Sequence, residues 1–252
     1  MSLPDFSLAG RRALVTGSSQ GIGLALARAL AAAGAHVFLN GRDPVRLAAA
    51  AASLRSSGCD AIEPLPFDVT DETAVLSASA QLGTVDILVN NTGIHRRGPL
   101  EAMSLADWNA VLHTNLTSAF LVARAVAPGM IARGRGKIIN VCSLMSDLAR
   151  PTTGNYAAAK GGLKMLTRAM CAEWARHDIQ VNGLAPGYIL TELTAPLAAD
   201  PKFDAWIKGR TPAGRWGSVD DLTGACVFLA SPSARFINGQ ILTVDGGLSA
   251  VI

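Results

Sequence analysis

Seven short runs rich in aliphatic or β-branched residues recur along the 252-residue chain: RALVT, HVFLN, IEPLPF, DILVN, KIINVC, IQVNGLA and ILTVD. Between them lie longer, often Ala-rich stretches whose apolar residues repeat with a helical period, over Ile22–Ala33, Pro44–Arg55, Asp71–Leu82, Leu105–Ile131, Tyr156–Ala175 and Asp220–Leu229. Parallel strands cannot be joined by a tight hairpin, and each crossover has to bury a helix against the sheet. The alternation therefore predicts an α/β chain built as a doubly wound parallel sheet of seven strands, in one domain spanning 1–252. Helix punctuation agrees: Asp43-Pro44 supplies an N-cap and a first-turn proline, and Ser104 with Asp107 and Ser218 with Asp221 have the spacing of capping boxes.

Composition narrows the function classes. Half of the residues are hydrophobic and 16% are charged, enough for a large buried core. The net charge of +3 is spread over scattered basic residues, whereas a nucleic-acid-binding face needs them clustered. The start, MSLPDFSLAGRRALVTG, has no long apolar stretch, and no window reaches the roughly 18 to 20 uncharged apolar residues of a bilayer span. A soluble, cytoplasmic protein is expected. The four cysteines lie far apart with no histidine at ligand spacing, so neither a disulfide framework nor a metal site is expected. One segment fits the alternation poorly: residues 186–217, rich in Pro, Gly and Thr, with one short helix expected around Phe203–Lys208. An irregular insertion of this length in a compact domain reads as a substrate lid.

TGSSQGIG, Thr16 to Gly23, joins the first strand to the first helix. Gly17, Gly21 and Gly23 let the backbone turn tightly and approach a phosphate, which the N-terminal amides of the helix then hold. The spacing is G-x-x-x-G-x-G rather than the common G-x-G-x-x-G, and a plain strand-to-helix turn is the competing explanation. The same letters contain G-x-S-x-G, the nucleophile elbow of the α/β-hydrolases. Only one strand can precede Ser19, however, and that elbow sits deep in a sheet whose earlier strands and loops supply the oxyanion hole. At the end of the second strand, where an acidic residue would bind the ribose 2′-hydroxyl of NAD, stands Asn40-Gly41-Arg42. A guanidinium can bind a 2′-phosphate bidentately, so Arg42 predicts NADP(H), with NAD as the alternative.

Tyr156 and Lys160 lie four apart in GNYAAAK and share one helix face, after a strand whose end carries Ser143. A phenol near its ordinary pKa of about 10 is a poor base at neutral pH. A lysine charge at about 4 Å, with an effective dielectric of about 20, would favour the phenolate by roughly 4 kcal/mol, or about 3 pKa units. Tyr156 is thus expected to exchange a proton with a substrate oxygen while hydride passes to or from a nicotinamide, with Ser143 hydrogen-bonding the same oxygen. A protein that senses NADP(H) without turnover would keep the glycine turn and have no use for these three side chains together.

TGSSQGIG, Asp68, NNTG, Asn115, Ser143, YAAAK and PGYILT resemble, in order and spacing, the short-chain dehydrogenase/reductase family over essentially the whole chain. The resemblance implies a Rossmann-like sheet in a homodimer or homotetramer and a metal-free catalytic tetrad of Asn115, Ser143, Tyr156 and Lys160, with Asn115 holding a proton-relay water. It implies cofactor contacts along the turn from Gly17 through Ser19, Gln20, Gly21 and Ile22 to Gly23, with Asp68 and Val69 on adenine and Asn91 and Gly93 beside the ribose. Lys160 would also contact the nicotinamide ribose, Ile189 and Thr191 the carboxamide and diphosphate, and Tyr156, Pro186 and Gly187 complete the cofactor contacts. Two positions depart from the family pattern: Thr92 replaces an alanine, and Gln20 stands where many NADP-preferring members have a basic residue.

A closer likeness within the family rests on INVCSLMSDLARPTTGNYAAAKGGLKMLTR, EWARHDIQVNGLAPGY and RTPAGRWG. It is to members that interconvert D-gluconate-type sugar acids and their keto forms, and it implies a carboxylate partner. The loop NNTGIHRRGP places Arg96 and Arg97 a few residues beyond the expected cofactor edge, with Arg150 as a third cation. One of Arg96 and Arg97 is expected to pair with the substrate carboxylate, the sequence leaving open which. Ser143 and Tyr156 would meet the reacting oxygen, and Ser146 and Asn155 are candidates for other hydroxyls. Trp216 is expected to pack the lid.

Overall fold

In a computed structural model, which describes residues 5–251, all seven expected strands pair in parallel in one sheet of order β3-β2-β1-β4-β5-β6-β7. They are β1 (Arg12–Val15), β2 (His36–Gly41), β3 (Ile62–Pro66), β4 (Ile87–Asn90), β5 (Gly136–Val141), β6 (Ile179–Pro186) and β7 (Ile241–Val244). The chain winds outward from β1 to β3 on one side and then returns to add β4 through β7 on the other. The switch falls between β1 and β4, which pair from Ala13↔Ile87 to Val15↔Val89. At such a switch the connections leave in opposite directions and open a crevice above the strand ends. Pro64 and Pro66, which cannot donate to a ladder, are tolerated because β3 is an edge strand.

Strand periodicity sorts the core into two layers. Ala13, Val15, Ile87, Val89, Ile139 and Val141 face one side, where they pack on α1 (Gly21–Ala32), α2 (Pro44–Ser56) and α9 (Thr223–Ala230) through Leu26, Leu30, Leu47, Leu54 and Leu229. Leu14, Leu88, Ile138 and Val181 face the other. There they meet Val75 and Leu82 of α3 (Glu72–Leu82), Val122, Val126 and Met130 of α5 (Ser118–Arg133), and Met170 of α6 (Gly154–Trp174). Aspartate caps start α2 and α3: Asp43 accepts from Val45 and Arg46, and Asp71 from Thr73 and Ala74. Ser218 and Asp221 form the expected capping box, which opens a short 3-10 turn before α9.

Two elements depart from expectation. The long helix over Leu105–Arg133 is interrupted: α4 (Leu105–Leu112) passes into a π-turn at His113–Thr117 before α5. By length and composition this helix could cross a membrane, but half of its most apolar window is buried, with α5 seated on the sheet. Beyond β6 the chain forms two helices where one was expected, α7 (Ala195–Ala198) and α8 (Pro201–Arg210). Asp200 caps α8 and Pro201 fills its first turn, which explains its start. Tyr188, Phe203 and Trp216 pack over Leu144, Ile207 and Leu248, and a bridge between Ile189 and Gly217 closes the segment on itself.

Candidate active site

Above the ends of β1 and β4 opens a cleft of ≈ 1030 Å³, running from Arg42 and Asp68 at one end to Ser143, Tyr156 and Lys160 at the other. Its floor is the glycine turn. Gly17 has φ +59°, and a Cβ on Gly23 would stand 2.3 Å from the Gly17 carbonyl oxygen, so the turn closes only around glycine. Asn91 spends its amide hydrogens on the carbonyls of Thr16 and Gly17, at 3.0 and 2.9 Å, strapping β4 to the turn. Unlike α2 and α3, α1 has no side-chain cap: Gln20 is the N-cap and makes no capping bond. The N–H groups of its first turn are left for an anion, which fits a dinucleotide diphosphate. Ser19, Gly21 and Ile22 line the same cleft. Gln20 instead donates to Glu192, at 2.7 Å, joining the turn to the segment after β6, a contact no local motif announces.

At the β2 end, Arg42 is 76% exposed and only 3.8 Å from Asp68, a loose pair that leaves its guanidinium free to turn to a phosphate. Arg46 lines this end as well, unforeseen because its helical position reads as a solvated face. Although partial burial works to raise the Asp68 carboxyl, hydrogen bonds from the Thr70 side chain and main chain, with the nearby Arg42 charge, hold it below the usual range. Val69 is buried beside it and Gly93 lies over Asn115. Pro186, Gly187, Ile189 and Thr191 line the opposite wall. Thr191 is fixed through its N–H to Thr194 Oγ1 at 2.9 Å. Thr92 brings a buried hydroxyl with no partner among the described residues.

Three of the four expected catalytic residues, Ser143, Tyr156 and Lys160, line the inner end of the cleft, from the end of β5 and from α6. Ser143, directly after β5, accepts from Met145 N at 3.2 Å and lies beside the Tyr156 phenol, whose pKa it works to lower. Tyr156 and Lys160 descend from the first turns of α6. Lys160 behaves otherwise than the spacing suggests. Its Nζ donates to the Val141 carbonyl at 2.6 Å and lies 5.8 Å from the centroid of the Tyr156 ring. Burial pulls Lys160 down to about 8 and pushes Tyr156 above the ordinary phenol range, Ser143 offsetting this only in part. In this arrangement the ammonium is turned to a main-chain carbonyl, and the enclosed site penalises the phenolate.

Asn115 sits in the π-turn and is almost fully buried. Its Oδ1 accepts from Ile94 N at 2.7 Å and its Nδ2 donates to Ile94 O at 2.9 Å. This amide is a strap on the loop after β4. Ser146 and Asn155 are also spent on the protein. Ser146 donates to Lys160 O, and Asn155 bridges Arg96 O and Tyr156 N, so neither is placed for a substrate hydroxyl.

The loop cations separate. Arg96 lines the cleft but pairs with Asp107 at 2.7 Å, an acid whose sequence role looked like capping alone. Arg97 donates to the hydroxyl of Thr152 at 3.2 and 3.0 Å, and Arg150 donates to the Tyr188 hydroxyl at 2.9 Å while lying over the Phe203 ring. Neither partner is charged. Among the described residues, Arg97 and Arg150 therefore keep uncompensated guanidiniums. Both reach His95 electrostatically: burial first, then these two charges, lower its imidazole to about 4. Trp216 is buried in the segment after β6 and donates to Asp204 at 2.8 Å, the packing role expected of it.

A dinucleotide cleft at the switch point, with serine, tyrosine and lysine at its inner end, defines a dehydrogenase class. The chain belongs to the short-chain dehydrogenase/reductase family and is an oxidoreductase: residues 17–249 match the family model described as enoyl-(acyl carrier protein) reductase. It is 52% identical to the gluconate 5-dehydrogenase of Gluconobacter oxydans, covering 99% of each chain. It is 47% identical to the 5-keto-D-gluconate 5-reductase of Escherichia coli, covering 98% of each. Its fold superposes at a TM-score of 0.95 on a crystal structure of a gluconate 5-dehydrogenase from Burkholderia cenocepacia in complex with NADP and tartrate, 54% identical with 98% of each chain covered.

Proposed function

We propose that this protein interconverts D-gluconate and 5-dehydro-D-gluconate with NADP(H), acting as a cytoplasmic homotetramer or homodimer. The observation that carries the substrate class is the pair of acid-free guanidiniums, Arg97 and Arg150, grouped about His95 beside the Tyr156 phenol. A sugar acid brings one carboxylate and several hydroxyls, which such a site can receive. The full-length likeness to relatives bearing gluconate names supports the choice among sugar acids.

The nicotinamide group supplies the hydride acceptor in oxidation and the donor in reduction. Gly17, Ser19, Gln20, Gly21, Ile22 and Gly23 hold the diphosphate side, Arg42 the 2′-phosphate, Asp68 and Val69 the adenine, and Asn91 and Gly93 the ribose. Pro186, Gly187, Ile189 and Thr191 line the nicotinamide side. Tyr156 exchanges a proton with the reacting oxygen, to which Ser143 also hydrogen-bonds, and Lys160 fixes the ribose beside them. Residues 186–217 serve as the lid of the single domain 1–252, and Arg150 docks that lid through Tyr188 and Phe203. Oxidation of 2-deoxy-D-gluconate at C3 is the second reading, since the same guanidiniums would receive its carboxylate. Formation of reduced cofactor from D-gluconate, 2-deoxy-D-gluconate and neutral polyols, each with NADP and NAD, decides the matter. D-gluconate with NADP should be fastest; equal rates on neutral polyols and sugar acids would remove the carboxylate site.

A further inference from the structure

His95 is held in an unusual place. Its imidazole stacks on the Tyr156 ring with centroids 4.5 Å apart and planes 14° from parallel, and it lines the inner end of the cleft. Its Nδ1 is shut away from solvent and has no hydrogen-bond partner among the described residues. Nε2 has no hydrogen-bond partner among the described residues either, and the residue lines the cleft. A ring nitrogen of a cleft-lining residue that has no protein partner is free to meet a ligand.

The surroundings fix the ring's state. Tyr156 covers one face, and the Arg97 and Arg150 charges lie close enough to oppose protonation, which burial opposes already. A neutral imidazole carries one N–H and one bare nitrogen. In either tautomer Nε2 can meet a ligand, as donor or as acceptor, and a hydroxyl is the one common group that can answer both. A carboxylate could accept only from the protonated edge, and it has Arg97 and Arg150 beside it.

We propose that His95 is a substrate-binding residue: its Nε2 hydrogen-bonds the hydroxyl on the carbon next to the one being oxidised or reduced. The stack explains the position. The Tyr156 phenol meets the reacting oxygen, and the imidazole lies one ring thickness to its side, where the neighbouring hydroxyl of a polyol chain falls. The carboxylate at the far end of the substrate then turns to the guanidiniums. His95 thereby selects polyol substrates over isolated alcohols, a task separate from moving the proton. This assignment rests on the polyol-acid reading above for the identity of the substrate, though not for the geometry.

The test compares the wild type with His95→Ala and His95→Gln on D-gluconate and on its 4-deoxy and 6-deoxy analogues, which lack one or other hydroxyl beside C5. Cofactor fluorescence gives the NADPH dissociation constant of each variant and reports that it is folded. On D-gluconate, His95→Ala should raise KM about tenfold, the loss of one hydrogen bond, with NADPH binding unchanged and part of the loss restored in His95→Gln. On one deoxy analogue the wild type and His95→Ala should become equal. A loss of the same size on all three substrates, no loss on any, or a loss of NADPH binding would overturn the assignment. Should the wild type ignore D-gluconate and turn over another polyol, the sugar-acid reading fails. The same comparison on that polyol and its deoxy analogues then upholds or overturns the His95 contact.

Discussion

Lys160 donates its ammonium to the carbonyl of Val141 at 2.6 Å, tying the first turns of α6 to the end of β5. The lysine is therefore a structural anchor for Tyr156 as well as a charge beside it. Replacing it by methionine removes the donor and leaves a buried carbonyl unpaired, so Lys160→Met should lower both stability and turnover. Tyr156→Phe keeps the ring, its stack on His95 and the Lys160 anchor, and removes only the proton-carrying oxygen. It should lose about 10²- to 10⁴-fold in kcat while the NADPH dissociation constant stays within about twofold of the wild type. Because burial holds the phenol above its ordinary range, oxidation, which needs the phenolate, should accelerate as pH rises through the alkaline range. A flat oxidative pH profile would count against Tyr156 as the base.

Gly23 offers a steric test of the cofactor cradle. A methyl group there meets the Gly17 carbonyl oxygen, which is backbone, at 2.3 Å and the Asn91 amide nitrogen, which is held by two hydrogen bonds, at 2.5 Å. Gly23→Ala should widen the turn and cost about 1–3 kcal/mol, seen as a lower melting temperature together with weaker NADPH binding. Gly209, inside α8 where a Cβ meets nothing, is the control: Gly209→Ala should leave NADPH binding unchanged and should not lower the melting temperature.

Arg42 is the side chain at the β2 end on which the NADP preference should turn. It is exposed and only loosely paired with Asp68, so its removal disturbs little else. Arg42→Ala should lower kcat/KM for NADP roughly tenfold or more while leaving that for NAD nearly unchanged. An unaltered NADP-to-NAD ratio would move the preference to Arg46 or to the turn.

Much of this was legible before any coordinate, and what was not has a common cause. The strands could be read because buried parallel strands demand unbroken β-branched or aliphatic runs, and the caps because Asp43 and Ser218 act within three residues. The π-turn around Asn115 has no residue signature, since it depends on how α4 and α5 settle on the sheet. The direction of Lys160 is set by a main-chain carbonyl 19 residues away, and the fate of Arg97 by a hydroxyl 55 residues away. Partners of that kind leave no spacing in the sequence, which is why a shared helix face could be read for Tyr156 and Lys160 while the main-chain carbonyl that Lys160 reaches could not.

The two loop arginines should separate cleanly. Arg96 is neutralised by Asp107 on the surface, and exposed pairs of this kind contribute about 0–1 kcal/mol, so Arg96→Ala should change KM for D-gluconate less than about threefold. Arg97 holds only the Thr152 hydroxyl. Losing a charge-assisted contact to the substrate carboxylate in Arg97→Ala should raise that KM about tenfold or more, with the KM for a neutral polyol unaffected. The reverse ranking would show that Arg96 leaves Asp107 when substrate binds.

The imidazole of His95 also marks the stability of the fold. Its folded value of about 4 lies below the roughly 6.5 of an unfolded chain, because burial and the Arg97 and Arg150 charges oppose protonation. Between those two values the unfolded chain binds a proton that the folded one refuses. Stability therefore falls as pH drops from about 6.5 toward 4, and the loss stops growing below the folded value. The loss is at most about 3.4 kcal/mol, and less in proportion as solvent reaches the ring. Urea unfolding of the wild type and His95→Gln at pH 7 and pH 4.5, for which about 2 units of titration lie between the states, isolates it. The wild type should lose more stability than the variant on acidification, by no more than that amount. Parallel losses in the two proteins would mean that the imidazole takes up its proton in the folded state.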